Sequence, residues 1–220
     1  MKKKRFIIVG LGNFGASAAE TLAELGHDVA ALDVSEDAVD RIADRVAQAA
    51  VGSGIDHAVL ERIGAGSADA AIVSTGDDIT ASVLTTLALR DCGLREIFVK
   101  VISRDHARVM EKLDARETVF PERESAQRLA KRIASPRIVN LVDIGPGFSL
   151  QEMAVPDTWV GKSLRELELP RRYRVAVIAV HDYLRGTYKT IPDPDAPLTD
   201  SDTLLVAGED AHLEKLNRSG

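Results

Sequence analysis

The chain has 220 residues, of which 45% are apolar, and it carries a formal net charge of −6. That length allows one large domain, or a medium domain with a small one, and is enough to bury a core. The single cysteine, Cys92, excludes an internal disulfide and favours a reducing compartment. No apolar stretch approaches the ~18 residues that span a bilayer, and the acidity argues against general nucleic-acid binding. We therefore expect a soluble, cytoplasmic, globular protein.

Short apolar runs alternate with helical segments along the first 135 residues. The runs are Phe6–Val9, Val29–Leu32, Val46–Val51, Ala70–Val73, Ile97–Val101 and Thr118–Phe120. Short, continuous runs are typical of parallel strands that are covered on both faces. The repeated strand–helix–strand order therefore predicts an α/β fold, a Rossmann-like doubly wound parallel sheet.

A crossover helix and a second, smaller lobe are predicted beyond this sheet. The helix follows Pro121, and its apolar face carries Ala126, Leu129, Ala130 and Ile133. Seven of the eight prolines, the only tryptophan and all three tyrosines lie at or beyond residue 136. Strands are predicted at Phe148–Val155, Arg174–His181 and Thr203–Ala207, with short helices beginning at Ser163 and Glu209. We expect a nucleotide-binding lobe over 1–120, a crossover helix and linker over 121–140, and an α+β lobe over 141–220.

A glycine-rich loop between the first strand and the first helix has the pattern G-x-G-x-x-G over residues 10–15. Gly10 permits a tight turn, and Gly12 lets a pyrophosphate approach the backbone. Gly15 brings helix and strand close together, while the helix N-terminus supplies free N–H groups and a positive dipole. The loop therefore predicts a site for the phosphates of a nucleotide.

Asp33 ends the second strand, 21 residues after Gly12, where a carboxylate accepts hydrogen bonds from ribose hydroxyls. The same charge repels a 2′-phosphate, which disfavours NADP. The sequence contains no paired carboxylates, Ser/His or Cys/His arrangement at catalytic spacing, and no metal-ligand spacing. It supports nucleotide binding without a sign of catalysis. The alternative, a small NAD-dependent oxidoreductase, would need an acid/base residue that faces the nicotinamide, and none is evident.

Several segments occur in an order that resembles a known family. They are Val9–Gly15, Ala31–Val34, Ala81–Leu87, Phe98–Lys100, Val119–Arg123, Val160–Leu164 and Asp202–Gly208. Together they resemble the cytosolic regulatory subunits of the bacterial Ktr and Trk potassium uptake systems, which are built from the RCK domain. The resemblance covers nearly the whole chain, and the length is closest to the Ktr type.

This resemblance implies an adenine nucleotide, ATP/ADP or NAD(H), bound at the carboxyl ends of the strands. Sheet topology independently places a crevice at the loops that follow the third and fourth strands. The residues implied are Gly10, Gly12, Asn13, Phe14, Gly15, Asp33, Val34, Ser35, Ser53, Gly54, Thr75, Gly76, Asp77, Lys100, His106 and Glu122. Lys100 would neutralise phosphate or contact the adenine side of the site.

Two of these positions leave alternatives open. The resemblance implies that Glu122 helps to coordinate Mg²⁺, Ca²⁺ or Na⁺ near the phosphates of paired subunits, because a carboxylate beside a phosphate needs a cation between them. Glu122 also fits an ordinary first-turn acid favoured by the helix dipole. Asn13 stands where many Ktr-type members carry an arginine, and a neutral amide lacks the charge that distinguishes ATP from ADP. The choice between ATP/ADP and NAD(H) therefore stays open.

The predicted helix over Asp78–Arg90 is apolar on more than one face, so it should be buried on more than one side. The resemblance implies that this helix and Arg104–Leu113 join homodimers into a tetrameric or octameric ring, which gates a membrane K⁺-transporting subunit. The alternative is that the C-terminal lobe, and not a neighbouring subunit, covers the second apolar face of the Asp78–Arg90 helix. That lobe is either a plain dimerisation lobe or a site for cyclic di-AMP. Residues 1–135 and 136–220 each carry a net charge of −3, which argues against direct lipid binding and against a DNA-binding repressor.

Overall fold

A computed structural model describes residues 2–135 and 137–219. The chain forms two compact units, the first ending at Pro121 and the second beginning at Glu122. Within the described residues, no helix has the length and apolar character needed to cross a membrane.

The first unit contains a parallel sheet of six strands in the order β3-β2-β1-β4-β5-β6. The strands are β1 (Arg5–Val9), β2 (Asp28–Asp33), β3 (Gln48–Val51), β4 (Ala70–Val73), β5 (Ile97–Lys100) and β6 (Glu117–Val119). The successive residues Ile7 and Ile8 are both fully buried, and they belong to separate apolar clusters. Burial on both faces explains the continuous apolar runs. The predicted Rossmann-like sheet is confirmed.

Helices connect these strands, and most of them begin at a polar cap. They are α1 (Asn13–Glu24), α2 (Glu36–Asp40), α3 (His57–Arg62), α4 (Ile79–Asp91) and α5 (Arg104–Lys112). The side chains of Ser35, Asp56, Asp78 and Ser103 each accept a hydrogen bond from a backbone N–H of the following first turn. Such caps satisfy N–H groups that have no partner inside the helix.

The second unit contains an antiparallel sheet in the order β10-β9-β11-β8-β7, preceded by the predicted crossover helix. Its elements are α6 (Pro121–Ala134), β7 (Ile138–Gly145), β8 (Phe148–Ala154), α7 (Leu164–Leu167), α8 (Leu169–Tyr173), β9 (Ala176–Asp182), β10 (Thr187–Lys189), β11 (Asp202–Glu209) and α9 (Asp210–Arg218). Its core is centred on Met153, Leu204 and Leu213, each 0% exposed. The predicted helix starts are confirmed, because Ser163 and Glu209 are the N-caps of α7 and α9.

Two strands of this sheet escaped the sequence analysis for physical reasons. Strand β7 has register shifts between Ile138 and Asn140 and between Asp143 and Gly145, which break the two-residue alternation of a half-buried strand. Strand β10 has three residues, all exposed, and therefore no hydrophobic pattern. Both lie at the edges of the sheet, where burial constrains the sequence least.

Candidate nucleotide site

The strand order of the first unit creates a crevice between the carboxyl ends of β1 and β4. These strands are neighbours, and the sheet is built outward from them in both directions, so their connections leave to opposite faces. Backbone hydrogen bonds hold the ends of these strands together. Ser74 N, just after β4, donates to Val9 O of β1 at 2.7 Å, and Gly10 N, just after β1, donates to Leu32 O of β2 at 2.8 Å. The sheet therefore brings the glycine loop beside the loop that follows β4.

The protein's own packing requires glycine at positions 10 and 15. Gly10 has a φ of +92°, and a Cβ there would lie 2.0 Å from Ser74 O. A Cβ at Gly15 would lie 1.9 Å from Gly10 O. These contacts confirm the roles predicted for a tight turn and for close approach of helix and strand.

Gly12 differs from both, because packing within the described residues does not require a glycine there. A Cβ at Gly12 would have no heavy atom of the described chain within 4 Å. Gly12 is also the N-cap of α1, in extended conformation, and its lack of a side chain means that it caps none of the first-turn N–H groups. Asn13 is exposed and Phe14 half-buried at the start of this helix. The backbone here is thus open to an approaching anionic group.

Asp33 joins the glycine loop to the turn after β2. Its Oδ2 accepts a hydrogen bond from Leu11 N at 2.5 Å, and its Oδ1 accepts one from Ser35 N at 2.8 Å. A carboxylate has about four acceptor sites, so capacity for ribose hydroxyls remains. Val34 is 73% exposed beside it, and Ser35 Oγ accepts from Ala38 N at 3.3 Å to cap α2. Asp33 therefore has a structural role that its position in the sequence did not reveal.

The loop after β3 also lies against the end of β1. A Cβ at Gly54 would lie 2.5 Å from Val9 Cγ1 and 2.8 Å from Thr85 Oγ1, so this close approach requires glycine. Ser53 Oγ accepts a hydrogen bond from Ile55 N at 3.3 Å and shapes the same turn.

The loop after β4 turns at Gly76, which has a φ of +65°. Thr75 Oγ1 donates to Asp78 O at 3.2 Å, and Asp77 is exposed. The segments 10–15, 33–35, 53–54 and 75–77 thus follow the carboxyl ends of four adjacent strands, β1 to β4.

Lys100, His106 and Glu122 are placed differently from these loops. Lys100 is half-buried at the end of β5. His106 is 1% exposed, and its Nε2 lies 3.1 Å from Ser82 Oγ on α4. Burial lowers the pKa of His106, and its Nδ1 has no hydrogen-bond partner among the described residues. Glu122 is exposed in the first turn of α6, which belongs to the second unit.

Helix α4 is buried on one side and carries exposed apolar residues on the other. One side is buried and includes Thr85, Thr86 and Leu89. On the outside, Ile79, Leu84 and Leu87 are 39%, 39% and 38% exposed. The sequence analysis described this helix as apolar on more than one face and missed the buried hydroxyls of Ser82, Thr85 and Thr86, which lie at helical spacing in the sequence.

Comparison with known proteins identifies the family. The TrkA-N domain model matches residues 6–121, and the TrkA-C domain model matches residues 150–219. Ktr system potassium uptake protein C of Bacillus subtilis (strain 168) is 33% identical over 218 residues, which cover 98% of this chain and 97% of that protein. The chain belongs to the Ktr family of potassium uptake proteins. Ktr system potassium uptake protein A of the same organism is 27% identical to this Ktr-family chain and covers 100% of it.

A solved structure supports the fold of this Ktr-family chain. The RCK domain of GsuK matches it with a TM-score of 0.65 at 20% identity, over 99% of this chain and 47% of that one. The Ktr-family chain thus spans about half the length of the GsuK chain. The resemblance to RCK-domain proteins drawn from the ordered segments is confirmed.

Proposed function

We propose that this Ktr-family protein is a nucleotide-sensing regulatory subunit that assembles as a ring on a membrane K⁺-transporting subunit and gates K⁺ flux. The observation that carries the proposal is the open backbone at Gly12. Packing within the described chain does not require glycine at position 12, whereas it does at positions 10 and 15. A bound phosphate group would require glycine at position 12, because the phosphate must approach the backbone N–H groups of the α1 N-terminus closely.

The ligand class is an adenine nucleotide, ATP/ADP or NAD(H). Asp33 holds its carboxylate at the end of β2 through bonds from Leu11 N and Ser35 N, which leaves acceptor sites for the 2′- and 3′-hydroxyls of a ribose. A 2′-phosphate at the same place would meet a negative charge, so NADP(H) binds more weakly. The cation that we propose at the nucleotide phosphates, Mg²⁺, Ca²⁺ or Na⁺, would be held with the help of Glu122.

The burial of His106 supports a regulatory function over a catalytic one. A small NAD-dependent oxidoreductase needs an acid/base side chain that reaches the nicotinamide. His106 follows a strand end, but it is 1% exposed and its Nε2 is engaged with Ser82. Its pKa is lowered by burial, which keeps the imidazole neutral.

Nucleotide binding gates transport only if the nucleotide binds one ring conformation better than another. Shifting a 1:99 equilibrium to 99:1 needs about 5.5 kcal/mol of differential binding. Several sites in one ring share this free energy, so each contributes a modest part. The exposed apolar residues of α4 support a ring, because a helix with an apolar outer side needs a partner surface.

The test is a titration with ATP, ADP, NADH and NADPH, with and without Mg²⁺, followed by thermal shift and calorimetry. We expect at least one of the first three to stabilise the protein, and NADPH to be the weakest. Asp33→Ala should abolish the nucleotide-dependent stabilisation with the fold retained. Asp40→Ala, which removes an exposed carboxylate of α2, is the matched control and should bind normally. No binding by any nucleotide, or equal binding by Asp33→Ala, would overturn the proposal.

A further inference from the structure

A cavity of about 760 Å³ lies within the second unit, lined by the end of α6, strands β7 and β8, and helix α9. Proteins bind small molecules in clefts of about 300–1,000 Å³ that combine apolar lining with a few placed polar groups. Buried Ile138 and Leu141 of β7 supply apolar lining here, and buried Ser149 and Gln151 of β8 supply polar groups. The cavity therefore has the size and the mixed lining of a site for a small organic molecule.

Asn217 of α9 lines this cavity and holds a buried acceptor that the described chain does not use. Its Nδ2 donates to Gln151 Oε1 at 3.0 Å, and its backbone O accepts a hydrogen bond from Arg137 Nη1 at 3.1 Å. Its Oδ1 is buried and has no hydrogen-bond partner among residues 2–135 and 137–219. Because buried polar groups are almost always paired, this oxygen indicates a donor from outside the described chain. A molecule in the cavity with an N–H group supplies such a donor.

The α9 side of the cavity is rich in acceptors. Asp210, Glu214 and Asn217 follow one another at intervals of four and three residues, so they share one face of α9, and all three line the cavity. Asp210 Oδ1 accepts from Ser149 Oγ at 2.7 Å, which leaves further acceptor sites on that carboxylate. Glu214 Oε2 lies 3.6 Å from Arg218 Nη2 in an exposed pair, which contributes little to stability and can yield to another cation. A primary ammonium group has three N–H donors and suits this side.

Two cations line the cavity from other elements. Lys131 lies on α6, and Arg137 directly precedes β7. Lys131 Nζ lies 2.8 Å from Asp143 Oδ1, and an ammonium group with three donors is not exhausted by that one bond. Ammonium and guanidinium groups bind carboxylates through charge-assisted hydrogen bonds. The lining is therefore divided, with acceptors on α9 and cations near the junction of α6 and β7.

Charge and size restrict the ligand class further. The lining side chains carry three positive charges and two negative ones, which suits a molecule without a large net charge. A phosphate ester carries up to two negative charges, and the carboxylates on α9 would repel it. The cube root of the cavity volume is about 9 Å, and an extended dipeptide measures about 7 Å. A dipeptide thus fits the cavity and separates its two charged ends, whereas an amino acid carries both groups on one carbon atom.

We propose that this cavity binds a zwitterion of dipeptide size. The carboxylates of Asp210 and Glu214 and the Oδ1 of Asn217 bind its ammonium group. Lys131 and Arg137 bind its carboxylate group, and the buried apolar residues of β7 contact the part between the charges. Because the ligand contacts α6, β7, β8 and α9 together, its binding stabilises the second unit by mass action.

The experiment is a calorimetric titration of the whole chain with L-alanyl-L-alanine and with two blocked forms of this dipeptide. N-acetylation removes the ammonium charge, and amidation of the other end removes the carboxylate charge. We expect the free dipeptide to bind once per chain and each blocked form to bind about tenfold more weakly or worse. Absence of binding at millimolar dipeptide, or equal binding of the three forms, would overturn the proposal.

Two variants test where each end of the dipeptide lies. Glu214→Gln should remove most of the effect of N-acetylation and preserve the effect of amidation, and Lys131→Gln should do the reverse, because removing both partners of one contact is not additive. Lys215→Gln is the matched control, since Lys215 is an exposed residue of α9 that does not line the cavity, and it should bind as the wild type does. If either variant leaves its own effect unchanged, the dipeptide binds elsewhere and the proposal is wrong. Urea denaturation verifies that each variant is folded.

Discussion

Gly12 and Gly15 provide a matched pair of substitutions that separates the architecture of the loop from its function. In Gly15→Ala, the new Cβ would lie 1.9 Å from Gly10 O, so one of them must move by about 1.5 Å to reach an ordinary contact of 3.4 Å. Both atoms belong to the backbone framework, and neither can rotate away as a side chain can. In Gly12→Ala, the Cβ would point into open space.

The expected stabilities differ accordingly. Overpacking of this kind costs about 3 kcal/mol, and the preference of helices for alanine returns about 1 kcal/mol. The free energy of unfolding of Gly15→Ala should therefore fall by about 2 kcal/mol, which lowers Tm by about 4–8 °C. For Gly12→Ala at the N-cap the loss should be about 0.5 kcal/mol. Urea denaturation without nucleotide measures both values.

Nucleotide binding should follow a different order. Gly12→Ala loses little stability but places a methyl group where a phosphate would approach, so its affinity for nucleotide should fall about tenfold or more, which is 1.4 kcal/mol or more. Calorimetry with the preferred nucleotide tests this expectation. If Gly12→Ala binds as tightly as the wild type, the phosphates do not contact this backbone. If Gly15→Ala is as stable as the wild type, the close packing of loop and helix is not as described.

Three further predictions concern burial and assembly. Burial lowers the pKa of His106, so its contribution to the free energy of unfolding should be complete above the unfolded pKa of about 6.5 and should fall as the pH drops toward the lower folded pKa. His106→Gln should flatten this pH dependence, as measured by urea denaturation between those pH values. An unchanged pH dependence in the variant would contradict the prediction. Burial raises the pKa of Glu152, but hydrogen bonds from Thr203 and His181 outweigh that effect and lower it overall. Thr203→Val should therefore lower the free energy of unfolding by about 1.5–3 kcal/mol at neutral pH, as measured by urea denaturation. The loss should shrink below the unfolded glutamate pKa of about 4.3, where Glu152 loses its charge. Equal losses at both pH values would argue against a hydrogen bond from Thr203 to a charged Glu152. Leu87→Asp, on the exposed side of α4, should leave the subunit folded and reduce the particle mass in light scattering, whereas an unchanged mass would place the ring contact elsewhere.

Much of the first unit could be predicted because its physical constraints are local in the sequence. Strands such as β1 are covered on both faces, so every residue from Ile7 to Val9 is apolar and the run is visible without a structure. The glycine loop is equally visible, since the turn and the helix start fall within six residues. The second unit was harder to predict, because β7 is interrupted by register shifts and β10 is wholly exposed.

The sequence could not show why each of the three loop glycines is required. All three fit one motif, yet Gly10 and Gly15 are required by contacts with Ser74 O and Gly10 O, whereas Gly12 meets open space. Likewise, the family resemblance implied His106 at the nucleotide site without showing its surroundings, and in the structure its ring is buried with Nε2 3.1 Å from Ser82 Oγ on α4. These distinctions depend on which atoms oppose each residue across the fold.

The sequence by itself determined the class of the protein, its glycine loop, the acid at the end of the second strand and the likeness to RCK-domain subunits. Those features lie in short segments, where apolar periodicity and turn chemistry act between neighbouring residues. Only the tertiary structure decided that Asp33 fastens Leu11, that His106 is buried on Ser82, and that Asn217 meets Gln151 at 3.0 Å. Each of these pairs is separated by 22 to 66 residues, and folding brings such residues together through the packing of whole helices and strands, which no local pattern records.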